Sequence, residues 1–199
     1  MISRRRLFAG LVATVSTAAL PRTGTAQAPV ISSGELRGSI DASAHGVTPD
    51  GGEASRRNLE RLLAEAARRN MPVYLPPGDY RISGLSLPDA TRLIGISGAT
   101  RLVHSGSGPL LHAENARRIE LSGLVIDGAD RITAGDVSAT AHFRQVTDLV
   151  IETCEVMNAG GTGLHLEGCG GRIGRNRISH ATEYGLYAVN SANLSVTSS

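Results

Sequence analysis

Histidine, arginine and glutamate residues recur at equivalent positions of short, strand-like segments in the second half of the chain. In "GTGLHLEG", residues 161–168, His165 and Glu167 alternate with two leucines. Because successive side chains of a strand point to opposite faces, the leucines are predicted to face a core while His165 and Glu167 face solvent. An exposed histidine beside charged groups can act as a general acid or base. The chemistry therefore depends on what the neighbouring segments place beside His165.

Four segments, of which this stretch is one, align as an internal repeat. Their apolar residues form three columns: Leu111, Ala141, Leu164 and Leu186; Leu121, Ile151, Ile173 and Val196; and Ile126, Val156 and Ile178. Successive members lie 30, then 22 or 23, residues apart, which leaves room for three short strands and their turns but for no helix. This spacing predicts a parallel β-helix, in which each strand pairs with its equivalent one coil further on, about 4.8 Å away. A leucine-rich repeat would require a consensus that these segments lack.

Applied to every repeat, strand alternation predicts two exterior columns on the first strand of each coil. They are His112, His142, His165 and Tyr187, and Glu114, Arg144, Glu167 and Val189. In a functional interpretation these columns bind a ligand, His165 or His142 acts as acid or base, and Arg144 binds a carboxylate or abstracts a proton. In a structural interpretation the planar side chains simply stack, and Glu114, Arg144 and Glu167 form a cross-strand ion-pair ladder. Both interpretations stay open.

A longer loop, "DGADRITAGDVSAT" at residues 127–140, accounts for the first step of 30 and is predicted to lie at the edge of this face. It contributes Asp127, Asp130 and Asp136, which could donate a proton to a glycosidic bond or bind Ca²⁺ through oxygen atoms. However, Asp-Gly is a common turn pair, and the spacing matches no calcium loop. We therefore expect no metal or cofactor, with Ca²⁺ as the open alternative. The turn "HATEY", residues 180–184, is a further candidate for function because loops often carry it.

The two cysteines fall at different corners of the predicted coil. Cys154 lies between the second and third strands, in the position that Asn176 occupies one coil later, whereas Cys169 follows the first strand. Because bridged cysteines need α-carbons within about 7 Å of each other, we predict two free, largely buried thiols. Neither a CxxC motif nor a Cys/His cluster at metal-binding spacing occurs.

The N-terminal stretch "MISRRRLFAGLVATVSTAALPRTGTAQA" has the features of an export signal: an arginine cluster, an apolar run over residues 7–20 and small residues before the cleavage site. The arginines are typical of twin-arginine signals. Cleavage after Ala28 would place a proline where signal peptidases disfavour it, so cleavage after Ala26 is an alternative. We predict that residues 1–28 are removed and that the twin-arginine export machinery delivers the protein to the periplasm or the medium.

The mature chain is predicted to bind neither a membrane nor a nucleic acid. The apolar run of the signal is shorter than the roughly 20 residues that span a bilayer, and no later segment is apolar enough. Loss of four arginines and no acidic residue with the signal changes the formal net charge from +2 to −2, which removes the electrostatic basis for nucleic-acid binding. All 20 basic residues are arginine, which excludes Schiff-base chemistry and a lysine base.

The segment before the repeats predicts a cap for the coil stack. In "EASRRNLERLLAEAARR" the leucines and an alanine at positions 59, 62, 63 and 66 follow the helical period, so we predict an amphipathic helix over about 54–69. Residues 29–199 are then one domain, with a cap over 29–70 and coils over 71–199. The last segment, "NLSVTSS", stops in the middle of a coil, so we expect the natural protein to continue.

The entry segment also resembles a known family. "DASAHGVTPDGGEASRRNLERLLAEAARRNMPVYLPPGDYRISGLSL" is similar to the N-terminal entry of pectin-lyase-like right-handed β-helices, with its Gly-Val and Asp-Gly lead, its helix and its Pro-Pro-Gly-x-Tyr turn. With the export signal and "GGTGLHLEGC", the chain resembles a family of twin-arginine-exported β-helix repeat proteins from rhizobial bacteria, to which no activity is assigned. The resemblance implies an all-β, right-handed parallel β-helix with an N-terminal capping helix. It also implies polysaccharide binding on the first strand's face, and an arginine such as Arg144 as the base of a lyase.

Two functions remain open at this stage. The first is an enzyme, a polysaccharide lyase or glycoside hydrolase, acting on an acidic polysaccharide on the exterior face of the first sheet. The second is a non-catalytic structural module that binds a glycan or a protein along the same face. No motif of characterised enzymes with this fold can be transferred residue by residue, and two Phe, four Tyr and no Trp leave few rings for stacking on sugars. We expect a polysaccharide ligand and leave turnover undecided.

Overall fold

A computed structural model describes residues 38–133 and 137–197. The predicted signal peptide, both alternative cleavage sites and Asp136 of the long loop lie outside these ranges. Among the described residues, one α-helix and fifteen strands form the fold. A short 3-10 helix, Ala42–His45, precedes α1, Gly52–Arg68. The strands are β1 Ile40–Asp41, β2 Val73–Tyr74, β3 Gly78–Ile82, β4 Leu85–Ser86, β5 Thr91–Ile94, β6 Thr100–His104, β7 Leu111–Ser122, β8 Val125–Asp127, β9 Ala139–Glu152, β10 Glu155–Ala159, β11 Thr162–Glu167, β12 Gly171–Gly174, β13 Arg177–Ala181, β14 Leu186–Val189 and β15 Leu194–Val196.

The strands build a right-handed parallel β-helix, which confirms the predicted fold class. Every recorded strand pair is parallel and joins equivalent strands of successive coils. The first stack contains β4, β11, β14 and the first halves of β7 and β9; the second contains β1, β2, β5, β12, β15 and the second halves of β7 and β9. The third stack contains β3, β6, β8, β10 and β13. Because β7 and β9 run through two stacks, those two stacks form one ten-stranded sheet.

The register of the strands agrees with the three predicted apolar columns. Ile151 pairs with Leu121 on one side and Ile173 on the other, and Val156 pairs in the same way with Ile126 and Ile178. Leu164, Leu166 and Phe143 are fully buried in the interior of the first stack. The columns therefore form one continuous aliphatic core along the axis of the β-helix.

The corner between the second and third stacks repeats from coil to coil. Gly123, Thr153 and Arg175 occupy it with left-handed φ angles of 64°, 52° and 54°. The next residue in each coil points inward, and in the last of these coils it is Asn176. Its Nδ2 donates to the carbonyl of Ile151 at 2.8 Å, and its Oδ1 accepts from the backbone N–H of Cys154 at 2.9 Å. The buried asparagine thus joins two coils through backbone groups that the turn leaves unpaired.

Helix α1 covers the N-terminal end of the stacks, close to its predicted bounds. Its buried residues are Ser55, Leu59, Leu62, Leu63 and Ala66, and it packs against β2, β3, β4 and β5. Beside the buried face, Arg56 bridges Glu53 and Glu60 at 2.9 and 2.7 Å. The helix therefore shields the open end of the aliphatic core from water. Within the described residues, no helix combines the length and hydropathy needed to cross a membrane.

Cys154 and Cys169 are both free and buried, as predicted. The Cys154 thiol contacts the carbonyl of Glu152 at 3.3 Å, and the Cys169 thiol contacts the carbonyl of Glu167 at 3.4 Å. Burial raises the pKa of Cys154 to about 11 and raises the pKa of Cys169 as well. Both side chains act as small apolar core residues rather than as nucleophiles.

We predict that neither thiol reacts with a maleimide reagent in the folded protein, whereas both react in denaturant. Burial and the raised pKa keep the reactive thiolate from forming in the native state. Non-reducing mass spectrometry with maleimide labelling measures both the reactivity and the pairing. A disulfide, or rapid labelling of the native protein, would contradict the placement of the two cysteines.

We also predict that Asn176→Ala lowers the free energy of unfolding by about 2–4 kcal/mol, because it leaves the Cys154 N–H and the Ile151 carbonyl unpaired in the core. Urea unfolding followed by circular dichroism measures the change. Ser195→Ala, an exposed position on β15, serves as the control and should have little effect. An equally small effect of Asn176→Ala would show that the asparagine does not stabilise the corner.

Candidate functional site

The outward side of the first stack, here called the exterior face, carries the two predicted polar columns. On β11 the interior Leu164 and Leu166 are buried, while His165 and Glu167 are partly exposed. The same alternation holds on β7 and β9, where His112 and His142 are partly exposed between buried neighbours. The period of two along each strand and the parallel register between strands together fix which side chains the exterior face presents.

The histidine column continues as a series of edge-to-face and tilted ring contacts. His142 pairs in register with His112 and with His165, and His165 pairs with Tyr187. The ring centroids of His142 and His165 lie 5.1 Å apart at 75°, and those of His165 and Tyr187 lie 5.0 Å apart at 55°. Tyr184 extends the series at 5.5 Å from Tyr187. We call His142, His165, Tyr187 and Tyr184 the ring ladder.

Helix α1 closes one end of the histidine column. His112 pairs with Ser86 of β4, whose backbone N–H donates to Oε1 of Glu60 at 3.3 Å. The same Glu60 oxygen also accepts from Arg56 at 2.7 Å. The exterior face therefore begins at a carboxylate of the helix and continues along the coils to the tyrosines.

The charged column forms one ion pair rather than the ladder of three that the structural interpretation describes. Glu114, Arg144 and Glu167 are in register, as expected. Arg144 is ion-paired to Glu114, and both side chains are about half exposed. Among the described residues, Glu167 has no ion-pair partner. Arg144 uses one of its five N–H donors in this contact and has others that remain available for a ligand.

Burial keeps two histidines of the column neutral. It lowers the pKa of His112, although Glu60 and Glu114 oppose this effect. For His142, burial and the neighbouring His165 and Arg144 lower the pKa, whereas Glu167 and Glu114 raise it. Nε2 of His142 is buried and has no hydrogen-bond partner in the described part of the chain. At neutral pH His142 is therefore a proton acceptor that carries no charge.

Two depressions lie on the exterior face. The first has a volume of about 360 Å³ and is lined by Pro109, His112, Ala113, Glu114, His142 and Arg144. The second has a volume of about 160 Å³ and is lined by Val137, Ser138, Thr162, His165, Glu183, Tyr184 and Tyr187. They share no lining residue, and the ring ladder runs from the first to the second. The first combines a cation with a carboxylate, whereas the second combines rings, hydroxyls and a carboxylate.

The prediction that Asp127 belongs to the exterior face is wrong. Asp127 ends β8 in the third stack, is 3% exposed and is ion-paired to Arg101. It also accepts hydrogen bonds from the N–H of Ala129 at 2.8 Å and from Asn158 at 3.0 Å. Burial opposes its ionisation, but these contacts outweigh burial and lower its pKa. Asp127 therefore fixes the start of the long loop.

Asp130 lies in the same corner and lines neither depression. Its backbone N–H donates to the carbonyl of Asn158 at 2.8 Å, and its φ of 54° is in the left-handed region. The described ranges contain no group of three or more His, Cys, Asp or Glu residues placed to hold a metal ion. Asp136, the third carboxylate considered for Ca²⁺, lies outside the described residues.

The turn at residues 180–184 supplies two lining residues of the second depression. Its fold places Glu183 and Tyr184 in the second depression, beside Thr162 and Ser138, which the sequence did not single out. The hydroxyl of Thr162 donates to Oε2 of Glu183 at 3.3 Å. The one signal in the sequence was the tyrosine pair at positions 184 and 187, which flanks the entry to β14.

Comparison with known proteins supports the fold. No protein-family model matches the chain, and no curated protein matches it significantly. A crystal structure described as a "putative glycosyl hydrolase" from Parabacteroides merdae superimposes with a TM-score of 0.61 and 12% identity, over 80% of this chain and 96% of that one. The A-module of the mannuronan C-5 epimerase AlgE4 from Azotobacter vinelandii gives a TM-score of 0.59 and 24% identity, over 79% of this chain. This chain covers 50% of the epimerase module.

We predict that two substitutions shift the pKa of His142 in opposite directions. His165→Ala exposes His142 and removes the neighbouring ring that lowers its pKa electrostatically, so the pKa of His142 rises towards its ordinary value near 6.5. Glu167→Gln removes a carboxylate that stabilises the protonated ring, so the pKa falls further. NMR titration of the histidine ring protons measures both shifts. Shifts of the same sign in the two variants would contradict the electrostatics of the exterior face.

Proposed function

We propose that the protein is exported by the twin-arginine route, as residues 1–28 indicate, and that its β-helix domain, residues 29–199, binds an acidic polysaccharide along the exterior face. The periplasm or the medium is then its place of action. The observation that carries the proposal is the ring ladder with Arg144 beside it. The twin-arginine-exported rhizobial family remains the relative that the sequence suggests.

The ring ladder suits a polymer because its rings repeat with the coils. The ring centroids of His142, His165 and Tyr187, on three successive coils, are 5.0–5.1 Å apart along the axis of the β-helix, and Tyr184 lies beside Tyr187 in the same coil. Aromatic rings present flat apolar surfaces and polar edges, which match the apolar face and the hydroxyl rim of a sugar ring. A chain of sugars lying along the axis would meet a ring at each step. A ligand made of one or two units would use only part of the ladder.

Arg144 supports an acidic ligand. Its guanidinium is about half exposed, lies in the first depression and carries donors beyond the one used by Glu114. A planar guanidinium binds a carboxylate through paired N–H donors. His112 and His142 beside it are neutral at pH 7, so Arg144 is the cation of this depression. The names of the two similar structures, a "putative glycosyl hydrolase" and a mannuronan epimerase, support a polysaccharide-related role.

A second candidate function is β-elimination of the bound polysaccharide. The observation that favours it is the position of neutral His142 beside Arg144 in one depression. Arg144 would neutralise a uronate carboxylate and so acidify the adjacent C–H, and His142 would accept that proton. The electron pair would form a C=C bond as the glycosidic C–O bond breaks, the leaving oxygen would take a proton from water, and His142 would return its proton to the solvent. Because Nε2 of His142 is buried, the ring would have to turn to present it to a substrate.

We predict that Arg144→Ala weakens retention on immobilised pectate or alginate about tenfold, because a charge-assisted contact is lost. Arg177→Ala removes the same charge from the third stack, where its side chain is 78% exposed, and should leave binding unchanged. Affinity electrophoresis in gels containing each polysaccharide measures both. Equal weakening by the two variants would show that binding depends on the net charge of the protein and not on Arg144. If no polysaccharide retains the parent protein, the proposal is wrong.

The same samples test turnover. Unsaturated product, followed by its ultraviolet absorbance, would establish β-elimination if it forms with the parent protein and disappears in His142→Gln. Retention without product identifies a binding module. Product that persists in His142→Gln would assign the proton transfer to another residue.

A further inference from the structure

We infer that the second depression is a separate subsite for a sugar that carries no carboxylate, so that the natural ligand contains both acidic and non-acidic residues. This inference rests on the proposed function and adds to it the class of sugar at each position. It follows from the different chemistry of the two depressions on one continuous face.

The second depression contains a carboxylate and no cation among its described lining residues. Glu183 lies at its rim, is exposed and accepts a hydrogen bond from Thr162 at 3.3 Å. No ion pair involves Glu183 or the neighbouring Glu167 in the part of the chain that the structure describes. A uronate in this position would meet uncompensated negative charge, which repels it.

The other lining groups suit a sugar rich in hydrogen-bond donors. Tyr184 and Tyr187 are 58% and 40% exposed, while Tyr80 is buried in the core. The two exposed rings are tilted by 37° to each other beside His165, and they offer aromatic surface to a sugar. The Glu183 carboxylate accepts hydrogen bonds from hydroxyl, amide or ammonium groups but not from another carboxylate. A neutral or amino sugar fits this combination.

The first depression has the opposite preference. Arg144 lies there beside His112 and His142, which are neutral, so a sugar carboxylate has a cationic partner. His142 and Tyr187 are two coils apart, or about 10 Å at the usual spacing of strands. One polysaccharide lying along the ring ladder therefore contacts both depressions at once. A polymer that carries a carboxylate on every sugar is attracted by Arg144 in the first depression but repelled by Glu183 in the second.

Methyl esterification, which removes the charge of a uronate carboxylate, tests the preferences of the two depressions directly. The probes are galacturonate and mannuronate oligosaccharides of equal length, each in unesterified, half-esterified and fully esterified form. We expect the half-esterified probe of the bound backbone to bind about fivefold more tightly than either of the others. Glu183→Gln should raise the affinity for the unesterified probe by about fivefold and so remove most of the preference for the half-esterified probe. Isothermal titration calorimetry on the exported protein and its variant measures the affinity for each probe.

Glu155→Gln is the matched control, because it removes one negative charge from β10 in the third stack. It should leave the order of the three probes unchanged. If the unesterified probe binds the parent protein as tightly as the half-esterified one, and Glu183→Gln changes neither, the inference is wrong while the proposed function stands. If no probe binds the parent protein, the proposed function fails and this inference fails with it.

Discussion

Parallel hydrogen bonding in register between successive coils is the constraint on which the rest of the structure depends. It places each residue above its equivalent one repeat earlier, as His165 lies between His142 and Tyr187. Apolar residues stack into a single core only if every coil keeps the same period. The exterior residues are aligned along the axis by the same strand register, but the core does not restrict their chemical type. A row of rings and a row of charges along the axis are the direct result.

The same constraint explains why much of the molecule was predictable from the sequence. Alternation along a strand and the spacing between repeats translate into position without knowledge of tertiary contacts. The columns through Ile151, Val156 and His165 were therefore correct residue by residue. Helix α1 was predicted over about 54–69 and spans Gly52–Arg68, because its leucine period reflects the surface that it covers. The free thiols followed from their places at different corners.

The corners and the choice of side-chain partners were not predictable in this way. Asp127 is buried because Arg101, from the coil before, reaches it, and no local pattern announces that contact. Tyr184 reaches the exterior face through the conformation of a turn, which the periodicity does not encode. Arg144 lies between two glutamates at equivalent strand positions and pairs with Glu114, a choice that depends on rotamers and on the local packing. Register determines neighbours, whereas sterics and charge select among them.

The long loop between β8 and β9 lengthens one coil by eight residues relative to the next, from 22 to 30, yet the columns on either side remain aligned. The strands that form the floor of the exterior face and the long loop that forms a wall at its edge can therefore change independently. Insertions at this corner can remodel the wall beside Ser138 while the strands beneath stay in place. Duplication of a whole coil would instead extend the floor by one step. Insertion at the corner and duplication of a coil therefore act separately on the selectivity and on the length of the same surface.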